Sequence, residues 1–430
     1  MSAPYKNRRF TLLLCFLLCS AAVFGAEERP GATLPRMPSY LSRSTLSDLS
    51  PPESLSARSA VVLDVDSDAL LYEKGADLVL PPASLTKLMT VHLALTAAEE
   101  GAFPLDERVP VPREAWAQNQ PLGSSLMFLG PGQQVSGEEL LYGLAVSSGN
   151  DAAVAVALLV SGSVEAFVEE MNREARRLGY RRLSFHEPAG LSASNRATAR
   201  ELADFAAYLI ERHPGILDYF SLPSFTYPKP ENLINGNREH SITQWNRNSL
   251  LGSYPGADGF KTGFTEASQY NFIATAKRGD RRIVTVLLGV PGSTHAEGGY
   301  NRAREAAMLM DYGYEAFEVV TPNSPELPAL RVYGGVTEEV ALRLAPTEPI
   351  ALPRGGARRL RGSYTVEEYR WAPVEAGVSV GTVEYTLSGE PVLIRTVETA
   401  DAVGEDGVLG RIYDGLLLLT LPLTGDPLRP

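Results

Sequence analysis

The chain has 430 residues, of which 44% are hydrophobic and 21% are charged; this apolar content excludes a chain that is disordered throughout, and the length predicts two or three domains. The formal net charge is −12, and acidic and basic residues are mixed along the chain. A nucleic-acid partner is therefore excluded, because a face that binds phosphates needs clustered Lys and Arg.

The N-terminal residues have the pattern of an export signal. Three basic residues within the first nine precede the apolar run 10–24, and small residues follow it. We predict a signal peptide over 1–26 and an exported protein, either periplasmic or in the cell envelope, with an uncleaved signal that leaves an N-terminal membrane attachment as the alternative. Both cysteines, Cys15 and Cys19, lie in this segment, so the mature chain is expected to contain no disulfide, no thiol nucleophile and no Cys–zinc site.

The rest of the chain divides by composition into a spacer and two domains. Residues 27–57 are rich in Ser and Pro and predict a spacer without a core of its own. Residues 58–318 mix strand and helix patterns. A linker follows, marked by Pro322, Pro325 and Pro328, and residues 329–423 consist of short strand patterns between Gly and Pro. We therefore predict an α/β domain followed by a small β-sandwich or barrel.

The α/β domain begins with a predicted hairpin and ends with a predicted helix. The hairpin strands are Ser59–Val65 and Ala69–Tyr72, and two later strands, Phe272–Lys277 and Arg282–Val290, are joined by a turn at 278–280. Hydrophobic periodicity predicts helices over Leu85–Ala98, Gly137–Val160, Val164–Leu178, Thr198–Arg212 and Arg302–Phe317.

The first chemical motif is Ser84-Leu85-Thr86-Lys87, which opens the first predicted helix. Spacing of three residues places the Ser84 hydroxyl and the Lys87 amine on one helix face. A serine hydroxyl is a weak nucleophile until a base takes its proton, and a lysine is that base only when it is neutral. One such match is expected by chance in a chain of this length, and a surface helix with a solvated lysine is the simpler reading of this motif alone.

Ser148-Gly149-Asn150 is the second motif, and it lies between two helical patterns. The Ser148 hydroxyl is a candidate proton relay, and the Asn150 amide is a candidate for orienting Lys87 and a substrate carbonyl. By itself the tripeptide favours an ordinary turn between helices.

The third motif is Lys261-Thr262-Gly263, in a predicted edge strand. Lys261 and Thr262 are candidates for gripping a substrate carboxylate, while Gly263 leaves room for it. The backbone N–H groups of Ser84 and Phe264 are candidates for an oxyanion hole. Taken alone, the motif is equally typical of a hairpin start.

The three motifs together, separated by 64 and 113 residues, resemble those of the serine D-alanyl-D-alanine carboxypeptidases, the low-molecular-weight penicillin-binding proteins. Further stretches also look like this family: 60–87, 123–132, 140–153, 246–251, 258–265 and 372–389. The resemblance covers most of residues 58–400. It implies a penicillin-binding transpeptidase-like fold, with an antiparallel sheet flanked by helices and a small all-β domain after it.

The resemblance also implies the chemistry. Ser84 would be the acylated nucleophile, Lys87 the general base, and Ser148 and Asn150 the proton relay and positioning groups, while Lys261 and Thr262 would anchor the carboxylate. The substrate would be the D-Ala-D-Ala end of a peptidoglycan stem peptide, and β-lactams would be covalent inhibitors of Ser84. No metal and no organic cofactor is implied.

The sequence departs from the family pattern at three places. Glu187 stands in Glu187-Pro188-Ala189-Gly190-Leu191 where the family usually has Asn, and Ser268-Gln269 replaces the usual Ala-Gly; both changes are expected to affect substrate preference rather than acylation. The C-terminal run 416–423 contains Pro422 and predicts a last strand instead of the basic amphipathic helix that anchors many members to membranes.

Three other functions compete with this interpretation. A D,D-endopeptidase uses the same acylation on cross-linked peptides, and a cell-wall scaffold would need no reaction at all. A class A β-lactamase requires a Glu for deacylation, and the candidate Glu231 lies 83 residues after Ser148 and 30 before Lys261, too late for such a loop. The five histidines show no His-Glu-x-x-His spacing, which argues against a zinc peptidase. The Gly-x-Ser-x-Gly match at Gly377–Gly381 lies among the short strand patterns of 329–423, which include no helical pattern, so it is not the strand-to-helix elbow of a Ser–His–Asp hydrolase.

Overall fold

The computed structural model of the protein describes residues 39–40, 51–52, 55–234 and 240–407. The predicted signal peptide with its two cysteines, most of the predicted spacer and the apolar run 416–423 lie outside these residues. Leu55 and Ala57, at the end of the predicted spacer, are buried in a hydrophobic core. The boundaries of the domains stay predictions.

A six-stranded sheet lies at the centre of the first domain. Its strands are β1 Ser39–Tyr40, β2 Ser59–Asp64, β3 Ala69–Lys74, β8 Ala257–Thr265, β9 Gln269–Arg278 and β10 Arg281–Val290. They lie in the order β1-β3-β2-β10-β9-β8, and neighbours are antiparallel except for β1 and β3, which are parallel. Two small antiparallel sheets of two strands each accompany the central sheet: β4 Arg108–Pro110 with β5 Gln134–Ser136, and β6 Ser224–Tyr227 with β7 Ile242–Trp245.

Helices cover both faces of this sheet. Val61 and Leu63 of β2 face a large core, whereas Ala60 and Val62 face a second core, as the period-two alternation of a strand requires. The large core contains residues of helices α1 Lys87–Glu99, α2 Gly137–Tyr142, α3 Asn150–Ser161, α4 Val164–Arg177, α5 Ala199–Arg212 and α6 Ile216–Phe220, and the second contains residues of α7 His295–Ala316. The predicted fold class, an antiparallel sheet flanked by helices, is therefore confirmed.

Two predicted helices differ from those observed. The helical pattern over 137–160 is interrupted: α2 continues as a π-helical turn over Gly143–Ser147, Ser148 adopts a left-handed φ of 58°, and α3 begins at Asn150. Helix α7 begins at His295, before the predicted start at 302. The Gly298-Gly299 pair lowers helix propensity, but Thr294 caps the helix by accepting a hydrogen bond from the backbone N–H of Glu297.

A small all-β unit follows α7. Strand β11 Phe317–Val320 pairs with β15 Ile350–Pro353, and the other strands form a three-stranded and a four-stranded sheet around a separate core that includes Val332, Val383 and Val397. These strands are β12 Leu330–Tyr333, β13 Glu339–Val340, β14 Leu342–Leu344, β16 Leu360–Val366, β17 Tyr369–Trp371, β18 Ser379–Leu387 and β19 Glu390–Thr399. The predicted all-β C-terminal domain is confirmed for the described residues.

Among the described residues, no single helix combines the length and hydropathy that crossing a bilayer demands. Helices α3 and α4 meet those two criteria as a pair, but an 84° bend separates them. Much of α3 is buried in the large core.

A chain of side chains ties α1 to helices α4 and α5. His92 Nε2 lies 2.8 Å from Glu174 Oε1, His92 Nδ1 lies 2.9 Å from His213 Nε2, and His213 Nδ1 lies 3.1 Å from Glu99 Oε1. Because only one proton fits between the two rings, one ring accepts a hydrogen bond there. Both histidines are buried, so the protonation state of this pair affects the stability of the fold.

We expect His213→Asn to flatten the loss of stability in acid. Burial, followed by the positive charges of His92 and Arg212, lowers the pKa of His213 from 6.5 to about 4. The unfolded chain therefore binds a proton at this ring at a higher pH than the folded chain does. The neutral His213 ring therefore contributes fully to the free energy of unfolding above pH 6.5. This contribution falls by roughly 3 kcal/mol as the pH falls towards 4.

This prediction is checked by urea unfolding at several pH values. The difference in the free energy of unfolding between wild type and His213→Asn should shrink by roughly 3 kcal/mol from pH 7 to pH 4. A difference that stays constant over this range would contradict the assignment of a neutral His213 to the folded state.

Candidate active site

Ser84 lies on a tight turn that leads into α1. The turn is a 3₁₀ helix over Ala83–Thr86, it follows Pro81-Pro82, and Ala83 has a φ of 49°. A positive φ at a residue with a Cβ is strained, and such strain is often kept at sites where it aims a side chain. The serine itself is partly exposed, so a substrate can reach its hydroxyl.

The Lys87 amine lies next to this serine and is completely buried. Its Nζ donates to Ser84 Oγ at 3.1 Å, to Asn150 Oδ1 at 2.8 Å and to the carbonyl oxygen of Ala189 at 2.5 Å. The ammonium form has three donors, and these three partners use all of them, whereas the neutral amine has two donors and a lone pair that can accept the Ser84 hydroxyl. Residues from three distant parts of the chain therefore converge on one nitrogen.

Burial changes the protonation of this amine. The pKa of Lys87 is lowered from 10.5 to about 7; desolvation is the largest cause and the charge of Arg247 adds to it, while Glu187 and Asp151 oppose it. Near neutral pH a substantial fraction of the amine is uncharged, and an uncharged amine can accept the proton of the Ser84 hydroxyl.

The second motif lies at the break between α2 and α3. Ser148 and Asn150 are buried, and the Asn150 side chain reaches Lys87. The neighbouring Asp151 stabilises the break by accepting the backbone N–H groups of 127, 128 and 129.

The third motif lies on β8, at the edge of the sheet, as the sequence predicts. Lys261 and Thr262 are buried, and Lys261 Nζ lies 3.2 Å from the carbonyl oxygen of Thr262. A Cβ at Gly263 would lie 3.1 Å from both the Ser84 nitrogen and the Pro82 oxygen. Any larger residue would therefore crowd the turn Ala83–Thr86, which we call the nucleophile turn. The edge strand and the nucleophile turn are therefore adjacent.

Two arginines that the sequence analysis did not select belong to this site. The charges of Lys87, Arg247 and Arg302 all lower the pKa of Lys261, after the larger effect of burial. Burial and Arg247 lower the pKa of Arg302 to about 10, and its guanidinium lies 3.4 Å from the carbonyl oxygens of Gly263 and Arg247. The only signal in the sequence is that Arg247 falls within the family-like stretch 246–251.

Lys261, Arg247 and Arg302, which we call the cationic cluster, lack a carboxylate partner among the described residues. None of them forms an ion pair with a carboxylate there, although Arg247 donates to Ser125 Oγ at 2.8 Å. Mutual repulsion between buried cations is unfavourable unless an anion joins them. The arrangement therefore predicts that an anionic group of a ligand binds here.

Phe264, the last residue of the predicted site, follows Gly263 on β8. Its ring packs against Tyr270 and His295, at centroid distances of 4.4 and 4.7 Å. The ring has a packing role, whereas the oxyanion hole concerns its backbone N–H and stays a prediction. Within the ranges that the structure describes, no group of three or more His, Cys, Asp or Glu side chains is arranged to hold a metal ion.

Glu231, the base that a class A β-lactamase would need, lies on a separate turn, Pro230–Asn232. Its carboxylate is half exposed and lies 4.0 Å from Arg108, and it is not among the charges that shift the pKa of Lys87.

The chain is similar to known proteins over most of its length. Residues 46–292 match the family described as D-alanyl-D-alanine carboxypeptidase, and residues 314–405 match the C-terminal domain of penicillin-binding protein 5. The chain is 36% identical over 372 residues to the D-alanyl-D-alanine carboxypeptidase DacC of Escherichia coli, which covers 85% of this chain and 88% of that protein.

Solved structures give the same result. Penicillin-binding protein 5 from Haemophilus influenzae has a TM-score of 0.71 and 32% identity, and covers 83% of this chain and 100% of that chain. Penicillin-binding protein D2 from Listeria monocytogenes, in its ampicillin-bound form, has a TM-score of 0.52 and 29% identity, and covers 62% of this chain and 100% of that chain. A D-alanyl-D-alanine endopeptidase of Pseudomonas aeruginosa is 33% identical over only 198 residues, 46% of this chain and 57% of that protein.

Proposed function

Because this chain belongs to the serine D-alanyl-D-alanine carboxypeptidases (also called the low-molecular-weight penicillin-binding proteins), we propose that it removes the terminal D-Ala from peptidoglycan stem peptides through an acyl-enzyme on Ser84. The observation that carries this proposal is the contact of the buried Lys87 amine with the Ser84 hydroxyl at 3.1 Å. The protein is exported to the periplasm or the cell envelope by the signal at 1–26.

Acylation begins when the neutral Lys87 amine takes the Ser84 proton and Ser84 Oγ attacks the carbonyl carbon of the penultimate D-Ala. The carbonyl oxygen becomes an oxyanion, which the backbone N–H groups of Ser84 and Phe264 stabilise. The C–N bond then breaks, and the departing D-Ala amine receives a proton from Lys87 through the Ser148 hydroxyl. Asn150 holds the amine in the position that both transfers need.

Hydrolysis of the acyl-enzyme reverses these roles. Lys87 takes a proton from water, the resulting hydroxide attacks the ester, and Ser84 leaves with a proton from Lys87. Peptide acid and free enzyme are the products. β-Lactams react with Ser84 by the same acylation and leave a slowly hydrolysed adduct.

The cationic cluster explains specificity for the chain terminus. Lys261 and Thr262 bind the terminal carboxylate, with Arg247 and Arg302 contributing positive charge, and Gly263 leaves the space that the substrate needs. The carboxylate supplies the anion that the cluster lacks among the described residues, so its arrival restores the charged form of Lys261. A peptide without a free carboxylate gains none of this stabilisation, which favours a carboxypeptidase over an endopeptidase.

Two experiments, penicillin labelling and a comparison of substrates, test the proposal. We expect a labelled penicillin to modify the purified protein at one residue, Ser84, in mass spectrometric mapping, and the adduct to persist for minutes. Free D-Ala should be released faster from a pentapeptide ending in D-Ala-D-Ala than cleavage occurs in a cross-linked dimer. An adduct at another residue would refute the assignment of the nucleophile, turnover of the adduct within milliseconds would indicate a β-lactamase, and faster cleavage of the dimer would indicate an endopeptidase.

A further inference from the structure

The turn that follows residue 187 is organised around one carboxylate. Glu187 Oε2 accepts the backbone N–H of Ala189 at 2.7 Å, and Oε1 accepts those of Gly190 at 2.7 Å and Ser192 at 3.2 Å. Oε1 also accepts the side-chain amide of Asn195 at 3.0 Å. Four N–H donors therefore converge on Glu187, and hydrogen bonds to a carboxylate are roughly twice as strong as those between neutral groups.

This turn, which we call the Glu187 turn (residues 187–192), contacts Lys87 and the residue that precedes Ser84. The Ala189 carbonyl oxygen accepts the Lys87 amine at 2.5 Å. Gly190 packs against the carbonyl group of Ala83, directly before the nucleophile. The Asn195 amide, which binds Glu187, also donates to Thr86 Oγ1 at 3.1 Å, between Ser84 and Lys87.

The charge of Glu187 also acts on the amine. After desolvation, Glu187 has the largest influence on the pKa of Lys87 and raises it; Asp151 raises it as well, and Arg247 lowers it. Lys261 and Lys87 repel each other within the same site. Glu187 is not among the hydrogen-bond partners of Lys87 Nζ in the described part of the chain. Its charge therefore acts on the amine through space, while its hydrogen bonds hold the turn that contacts the amine.

We propose that Glu187 is a positioning residue for acylation, which holds the Glu187 turn so that the Ala189 carbonyl fixes the Lys87 amine beside Ser84 and whose negative charge acts on that amine. The inference rests on the proposed role of Lys87 as the base, and it replaces the expectation from the sequence that Glu187 affects substrate preference rather than acylation. Glu187 itself is not the base for deacylation, because both of its oxygens are occupied by N–H donors of its own loop.

The test uses substitutions that separate the charge of Glu187 from its shape. Glu187→Gln and Glu187→Asn remove the charge, and Asn is the residue that the family usually has here. Glu187→Asp keeps the charge on a shorter side chain. Glu201→Gln is the matched control, because the Glu201 carboxylate also accepts backbone N–H groups, those of Arg181 and Arg182, but is not among the charges that shift the pKa of Lys87.

The readout is the rate of penicillin acylation of the full-length protein as a function of pH. We expect the midpoint of the rise in rate to move to lower pH in Glu187→Gln and Glu187→Asn, by about one pH unit, since a nearby negative charge no longer favours the ammonium form. The plateau rate should fall about tenfold, the cost of a slightly misplaced amine. Glu187→Asp should lower the plateau without moving the midpoint, and Glu201→Gln should change neither.

The outcomes separate this inference from the proposed function. If wild type acquires no adduct at Ser84, the proposed function fails. If the adduct forms at Ser84 but the midpoint is the same in wild type, Glu187→Gln and Glu187→Asn, the positioning role is refuted. A loss confined to hydrolysis of the adduct, with acylation intact, would refute it in favour of Glu187 as a deacylation base.

Discussion

Lys87→Arg is expected to slow acylation of Ser84 by penicillin by about 10²–10⁴-fold, the usual contribution of a general base. The guanidinium keeps a positive charge but stays protonated at every working pH, so it cannot accept the Ser84 proton. Lys87→Ala should cause a comparable loss, because it removes the amine altogether. Stopped-flow or quenched measurement of adduct formation, with thermal unfolding to verify folding, checks both variants.

The pH profile of the wild type provides a second measurement of the same idea. The pKa of Lys87 is about 7, so the acylation rate should rise with pH through a midpoint near this value and level off above it. An ordinary lysine would be almost fully protonated at pH 8, and the rate would continue to rise about tenfold per pH unit up to pH 9. Lys277→Arg, at an exposed lysine of β9, is the matched control and should leave the profile unchanged.

Two results would contradict the role of Lys87 as a neutral base. One is acylation of Lys87→Arg as fast as that of wild type. The other is a wild-type rate that increases without a plateau between pH 7 and pH 9.

Gly190→Ala is expected to reduce acylation about 100-fold or more by displacing the nucleophile turn. A Cβ at Gly190 would overlap the carbonyl oxygen of Ala83 and would lie 2.8 Å from the Ser84 nitrogen. Both contacts are with backbone, so no side-chain rotation relieves them. A shift of about 1 Å in the reacting groups is enough to cost about 100-fold in rate.

The control separates this clash from backbone strain. Gly190 has a φ of +88°, and Gly179, after the end of α4, has a φ of +86°, but a Cβ added at Gly179 would meet no atom of the described residues within 4 Å. Both substitutions incur about 1 kcal/mol or more for a left-handed alanine, whereas only Gly190→Ala pushes against Ser84. Gly179→Ala should therefore lose some stability and keep the wild-type acylation rate. Equal acylation rates in the two variants would show that the Glu187 turn does not determine where Ser84 lies.

Local patterns in the sequence were sufficient for much of the fold. The β2–β3 hairpin, strands β9 and β10 and the helices α1, α4 and α5 follow from apolar periodicity over neighbouring residues, which reports directly on the faces that become buried. The predictions failed where a distant contact outweighed local propensity. The break at Ser148 is held by the Asp151 carboxylate, which binds the backbone of residues 127–129, and no pattern within 137–160 encodes those partners.

The sequence by itself determined which chemical groups this protein has: a serine and a lysine one helical turn apart, a Ser-Gly-Asn turn, a Lys-Thr-Gly strand and no cysteine beyond residue 19. The tertiary structure decided the state in which those groups are held. Burial removes water from the Lys87 amine and lowers its pKa to about 7, although Asn150 and Ala189 accept hydrogen bonds from it. Glu187, about 100 residues further along the chain, acts on the amine by its charge, and Arg247 and Arg302 join Lys261 only in the folded chain. The physical reason is that desolvation and Coulomb interaction depend on distances in space, which residue spacing along a chain does not specify.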